Sequence, residues 1–126
     1  MKTNYTYFTI TGEFAPETLI ERLGFRPDQI LPAGGKLPTG KTVEKPTLVF
    51  GINDDTKTEV TERMHASIKA LIPKEELLAE LKVEFGLQYY LEIADWDKGE
   101  LLIVPFEVSR FLYVSKTFID LDYYTF

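Results

Sequence analysis

Apolar, aromatic and β-branched residues crowd the opening of the chain and then change period several times, and each change predicts an element. Tyr5-Thr6-Tyr7-Phe8-Thr9-Ile10-Thr11 reads as a strand, broken at Gly12. Pro16 then opens a short helix with Leu19, Ile20 and Leu23 on one side, and Gly24 ends it. Arg26 to Lys41 holds three prolines and three glycines, which leaves room for an edge strand at most and predicts the most mobile part of the chain. Thr47-Leu48-Val49-Phe50-Gly51-Ile52 is a buried strand. From Glu59 the period becomes helical, with Val60, Met64, Ile68, Leu71 and Ile72 on one face until Pro73 interrupts. A second helix carries Leu77, Leu78, Leu81 and Phe85 inward and stops at Gly86. Gln88 to Ala94 is a strand, Asp95 to Gly99 a hairpin turn, and Glu100 to Val104 its partner strand. Pro105 opens a last helix to Val114, and Thr117 to Tyr124 closes as a strand.

These elements predict one α+β domain over residues 1–126: a mostly antiparallel sheet of five to six strands with helices on one face, in ferredoxin-like order plus an extra hairpin and helix. Strand side chains alternate between faces. With Phe8, Ile10, Leu91, Ile93, Ile119 and Leu121 toward the helices, the opposite face carries Tyr7, Thr9, Tyr90, Glu92, Asp120, Asp122 and Tyr124. Tyrosines supply contact area and carboxylates attract Lys or Arg. The expected partner-binding residues are therefore Tyr7, Tyr90, Glu92, Asp120, Asp122 and Tyr124, and the expected partner a basic protein or peptide. A homodimer contact is the other use of the same face.

Charge and composition sharpen that picture. The 126 residues are 44% hydrophobic and 13% aromatic, enough for a core without staples. A net charge of −6 argues against nucleic acid, whose phosphates are bound by Lys and Arg. The chain contains no cysteine, which excludes disulfides, thiolate nucleophiles and Cys-based metal sites. Met1 to Asn4 run into the first strand without the apolar run of a secretory signal, and no stretch is apolar enough to span a membrane. The expected setting is cytoplasmic.

Four motifs suggest chemistry and fall short of it. Gly35-Lys36-Leu37-Pro38-Thr39-Gly40-Lys41-Thr42 fits the phosphate-loop pattern letter for letter, but a strand, not the helix whose amides cradle phosphate, follows Pro46. Asp95-Trp96-Asp97-Lys98-Gly99 begins like a calcium loop and lacks its later ligands. His65 is the one histidine and cannot build a His-rich metal site. Asp120 and Asp122 share a strand face, where acid–base chemistry would require one of them to be desolvated. No catalytic residue, metal ligand or cofactor is expected.

Tyr7-x-x-Ile10-x-Gly12-x-Phe14-x-Pro16-x-x-Leu19, Leu23-Gly24-Phe25-x-Pro27, the Gly34/Gly35 loop, the Leu71-Ile72-Pro73-Lys74 link and Ile119-Asp120-Leu121-Asp122-x-Tyr124 are all part of a likeness to one family. Together they resemble the bacterial family named domain of unknown function 4279. The resemblance implies a fold and no activity. Thr47-Leu48-Val49 stands where the family pattern leads one to expect a tryptophan, and Ser115-Lys116 where it leads one to expect a glycine. Two functions remain: a non-catalytic interaction module of immunity or regulatory type, using the acidic-aromatic face, and a small-molecule binder or enzyme with a cleft under residues 32–41. A desolvated carboxylate in a closed cavity under that loop would favour the second.

Overall fold

The structure, a computed structural model, describes residues 4–54, 59–95 and 103–123. Its strands are β1 (Tyr5–Thr11), β2 (Gln29–Leu31), β3 (Thr47–Asn53), β4 (Gln88–Asp95) and β5 (Phe118–Tyr123). Its helices are α1 (Pro16–Leu23), α2 (Val60–Ile68), α3 (Glu75–Phe85) and α4 (Phe106–Ser115), with a 3-10 turn at Ile72–Lys74. The sheet order is β2-β3-β1-β4-β5. The first four strands pair antiparallel and β5 joins β4 in parallel, so the fold is α+β around one mixed sheet. Among the described residues no helix is long and apolar enough to cross a membrane.

The helix boundaries follow from local chemistry. Pro16 occupies the first turn of α1, where its missing N–H is harmless, and Gly24 ends that helix at φ 89° while its N–H bonds the Ile20 carbonyl. Pro73 cannot donate to the Lys69 carbonyl four residues back, so α2 ends at Ile68 and the chain passes through a 3-10 turn into α3. Lys116 caps α4 in the left-handed conformation at φ 58°, a position that favours glycine.

One face of the sheet holds the core. Phe8 on the central strand touches the rings of Phe50, Tyr89 and Phe111 at centroid distances of 6.3, 5.7 and 5.6 Å. Leu19 and Leu23 of α1, Met64 and Ile68 of α2, Leu78 and Leu81 of α3 and Val108 of α4 close over this cluster. Tyr89 is buried because its hydroxyl donates to the Leu78 carbonyl at 2.7 Å. Helix α2 lies against β3 where Gly51, at φ 63°, leaves no side chain, and a Cβ there would overlap the Ser67 carbonyl.

The alternation expected for β1 and β4 is present, the buried strand expected at 47–52 is β3, and two details at the far edge differ. Ile119 is only partly buried and Leu121 is exposed, because β5 is the last strand of the sheet and the helices cover it incompletely. Ile103 and Val104, expected to end a hairpin strand, are not in a strand, and β4 takes β5 as its outer partner instead. The expected turn beyond Asp95, the start of its partner strand and Tyr124 lie outside the described residues.

Two substitutions probe these backbone constraints in opposite directions. Gly51→Ala is expected to lower the unfolding free energy by more than about 1 kcal/mol, through strain at positive φ and contact with α2. Lys116→Gly is expected to raise it by up to about 1 kcal/mol, by relieving a left-handed non-glycine residue. Urea denaturation reads both, and a Gly51→Ala protein as stable as the parent would mean that α2 does not sit against β3 in this way.

Candidate functional site

The second face of the sheet is where the acidic-aromatic residues gather, and it is not open. Residues 32–46 fold back across it as an internally bonded flap. Gly34 N–H bonds the Val43 carbonyl at 2.8 Å, Val43 N–H returns to Gly35 at 2.9 Å, and Leu37 N–H bonds Lys41 at 2.8 Å. Gly40, at φ 92°, makes the turn at its tip. The segment predicted to be the most mobile is thus knit by backbone hydrogen bonds and tied to the sheet beneath.

Three contacts make the tie. The hydroxyls of Tyr7 on β1 and Thr39 on the flap are hydrogen-bonded at 2.9 Å. The Lys41 ammonium donates to Asp120 Oδ2 at 3.4 Å and pairs with the Asp122 carboxylate, both on β5. The expectation of an exposed face is corrected accordingly: Tyr7 is 0% exposed and Glu92 6%. Tyr90, Asp120 and Asp122 are half-buried. Strand alternation brings Tyr7, Tyr90, Glu92, Asp120 and Asp122 to one face as expected, with Glu92 opposite Tyr7 in one register and Asp120 in the other. Tyr124 is outside the described residues.

Between flap and sheet lies a cavity of about 490 Å³. Its floor is Thr9 and Thr11 of β1, Thr47 of β3, and Gln88, Tyr90 and Glu92 of β4. Its roof is Leu37 and the run Thr42 to Lys45. Thr47 donates to the Thr11 hydroxyl at 3.1 Å, and Tyr90 donates to Gln88 Oε1 at 3.0 Å. Sequence reasoning placed Thr9 on this face without giving it a role and passed over Thr11, Thr47 and Gln88. The alternation that found Tyr90 and Glu92 also finds these, once residues at the ends of the strands are included.

Electrostatics distinguish Glu92 from the other acids. Burial, then the hydrogen bond and negative charge of Asp120, push its carboxyl up to about 8, with Lys41 opposing. At neutral pH Glu92 is therefore mainly a neutral acid that gives its proton to the bond with Asp120. Asp120 is correspondingly held below the ordinary aspartate value, chiefly by that bond and then by Lys41. Burial pulls Lys41 down, but the bond to Asp122 and the surrounding carboxylates outweigh it and hold its ammonium above the usual lysine value. Tyr7 is kept a neutral phenol by burial, with the Thr39 bond opposing. The arrangement supplies a neutral carboxyl beside an ionised one, the pairing from which proton donors are built.

The other motifs have structural places. Lys41, the lysine of the phosphate-loop pattern, faces carboxylates, and the next element after the flap is β3, so no helix N-terminus meets Lys41-Thr42. His65 lies on the outer side of α2 with Nε2 3.1 Å from Glu107 Oε2, away from the cavity. Among the described residues no group of three or more His, Cys, Asp or Glu side chains is placed to hold a metal ion.

A carboxyl raised in the folded state stabilises the fold fully below its ordinary value of 4.5 and loses that contribution as pH rises through about 8. The loss attributable to Glu92 is on the order of 5 kcal/mol. Asp120, with a depressed value, contributes in the opposite sense, above the ordinary aspartate range and not below it. Glu92→Gln is therefore expected to gain stability over the parent as pH rises from about 5 to about 9, with the two proteins closest at the acid end. Denaturant titrations across that range check this, and parallel pH profiles would show that Glu92 ionises normally.

No curated protein and no solved structure matches the chain. A family model does, over residues 1–126, and its description is Domain of unknown function (DUF4279). With that match spanning its whole length and the fold carried by the glycines, prolines and apolar positions named above, the chain belongs to this family.

Proposed function

We propose that the protein binds a small polar ligand in the slot between residues 32–46 and the sheet, with Glu92 as the central hydrogen-bonding group. The observation that carries the reading is the cavity of about 490 Å³ with a 6%-exposed carboxyl in its wall. That volume is within the usual range for small-molecule sites, which are concave and fixed by a few convergent polar groups. A slot floored by threonine hydroxyls, a glutamine and a glutamate offers several donors and acceptors to a ligand rich in hydrogen bonds. Tyr90 adds a half-buried ring as a flat contact surface.

The alternative, an open face that covers a basic partner, has less support. The basic group that this face attracts is supplied from within the chain, since Lys41 already occupies Asp120 and Asp122. A partner would have to displace the flap and expose Tyr7. The same flap serves the ligand reading directly, as a roof that makes the slot concave.

The test is ¹H–¹⁵N NMR of the folded protein with a panel of small polyols, small carboxylates and small amines. Binding is expected to move the amide signals of Thr9, Thr11, Gln88, Tyr90 and Glu92 as one set, and Tyr90→Ala is expected to weaken it by about tenfold or more, the loss of about 1.4 kcal/mol of contact. If no member of the panel moves that set at millimolar concentration, the slot is not a binding site for such molecules.

A further inference from the structure

Glu92 differs from its acidic neighbours in what it faces. Glu17, Glu84 and Glu75 each meet an arginine, Arg26, Arg22 and Arg110 in turn, and Glu107 meets His65. Asp120 and Asp122 share the ammonium of Lys41. Glu92 meets Asp120, another acid, and shares a proton with it. Three carboxyl groups thus crowd one cation, and the one that lines the cavity feels the charge of Lys41 without making a direct ion pair with it.

We propose, building on the slot as a binding site, that its ligand is a small primary amine whose ammonium group pairs with Glu92. The cluster already accommodates an ammonium, since Lys41 reaches Asp120 and Asp122 from the flap side. A second ammonium from the cavity side would give Glu92 a direct ion pair of its own and bring the cluster of three carboxyl groups closer to charge balance. Its three N–H donors suit a wall of acceptors, with the Thr9 and Thr47 hydroxyls and Gln88 lining the same space and the Tyr90 ring beside them. The cavity leaves room for a body the size of a sugar or amino acid behind the amine.

The proton balance follows from the charges. Glu92 enters as a neutral acid and leaves as a carboxylate paired with the ammonium, and its proton goes to solvent. The groups facing it from the packed elements are Tyr7 on β1, Asp120 and Asp122 on β5, and Lys41 on the flap, with Glu44 and Lys45 in the cavity roof. Tyr7 is a neutral phenol, and Lys41 is an ammonium engaged with Asp120 and Asp122, which leaves Glu92 as the group that titrates on binding.

The experiment compares glucamine, sorbitol and gluconate, which share a polyol body and end in an ammonium, a hydroxyl and a carboxylate. Glucamine is expected to bind at least about tenfold more tightly than the other two, with affinity rising about tenfold per pH unit between about pH 6 and 8. The ¹³C carboxyl resonance of Glu92 should move to its ionised position as glucamine is added at neutral pH. Glu92→Gln, which keeps the shape and the hydrogen bonds, should lose both the preference and the pH slope. Sorbitol or gluconate binding as well as glucamine, or a pH slope that survives Glu92→Gln, overturns the amine assignment while the slot remains a binding site. Silence from all three compounds also overturns it, and the slot itself then stands or falls by the broader panel.

Discussion

The constraint behind the rest of this structure is that a sheet has two faces and the helices cover only one. The inner residues of β1 are buried from both sides, with Phe8 and Ile10 under helices and Tyr7 and Thr9 under a loop. An irregular segment can do this only if its own backbone groups are satisfied. Residues 32–46 meet that requirement by pairing with themselves, Gly34 with Val43 and Leu37 with Lys41, which leaves their side chains free to face the sheet. A glycine- and proline-rich composition suits such a flap, because Gly34 and Gly40 adopt positive φ where other residues would be strained.

A loop covers less densely than a helix, and the difference is the cavity. Where the flap touches down, at Tyr7 and at Asp120 and Asp122, the face is closed. Where it arches over Thr9, Thr11 and Gln88, a space remains. Glu92 stands between the two regimes, in the wall of the cavity and beside the Lys41 latch. Its neutral state follows from that position: it is buried too deeply for water to stabilise the anion, and it lies beside Asp120, whose bond and charge outweigh the opposing pull of Lys41.

Much of the fold was legible because it rests on signals carried by single residues. Pro16 and Gly24 bound α1, Pro73 divides α2 from α3, and Gly86 ends α3 at φ 67°, each for a reason stated by its own geometry. The five residues brought together on the second face were legible for a similar reason, since strand alternation is strict. Their burial was not, because it depends on residues 32–46 returning across the sheet, and no local pattern in a Gly/Pro-rich segment encodes where its tip will land. Lys41 shows the difference most clearly. By sequence it belongs to a phosphate-loop pattern, whereas its partners, Asp120 and Asp122, lie near the other end of the chain.

The flap also explains how an acidic cluster can sit in a stable fold. With Glu92 protonated, the three carboxyl groups carry two charges, and Lys41 offsets one of them in a half-buried site where attraction is stronger than in water. Placing the lysine on the flap and the acids on the sheet makes charge neutralisation and roof closure the same event. Whatever changes the charge at Glu92 therefore acts on the roof as well as on the cavity wall, because Asp120 bonds to Glu92 on one side and to Lys41 on the other. The chemistry of the slot and the position of its cover are thereby linked through one aspartate.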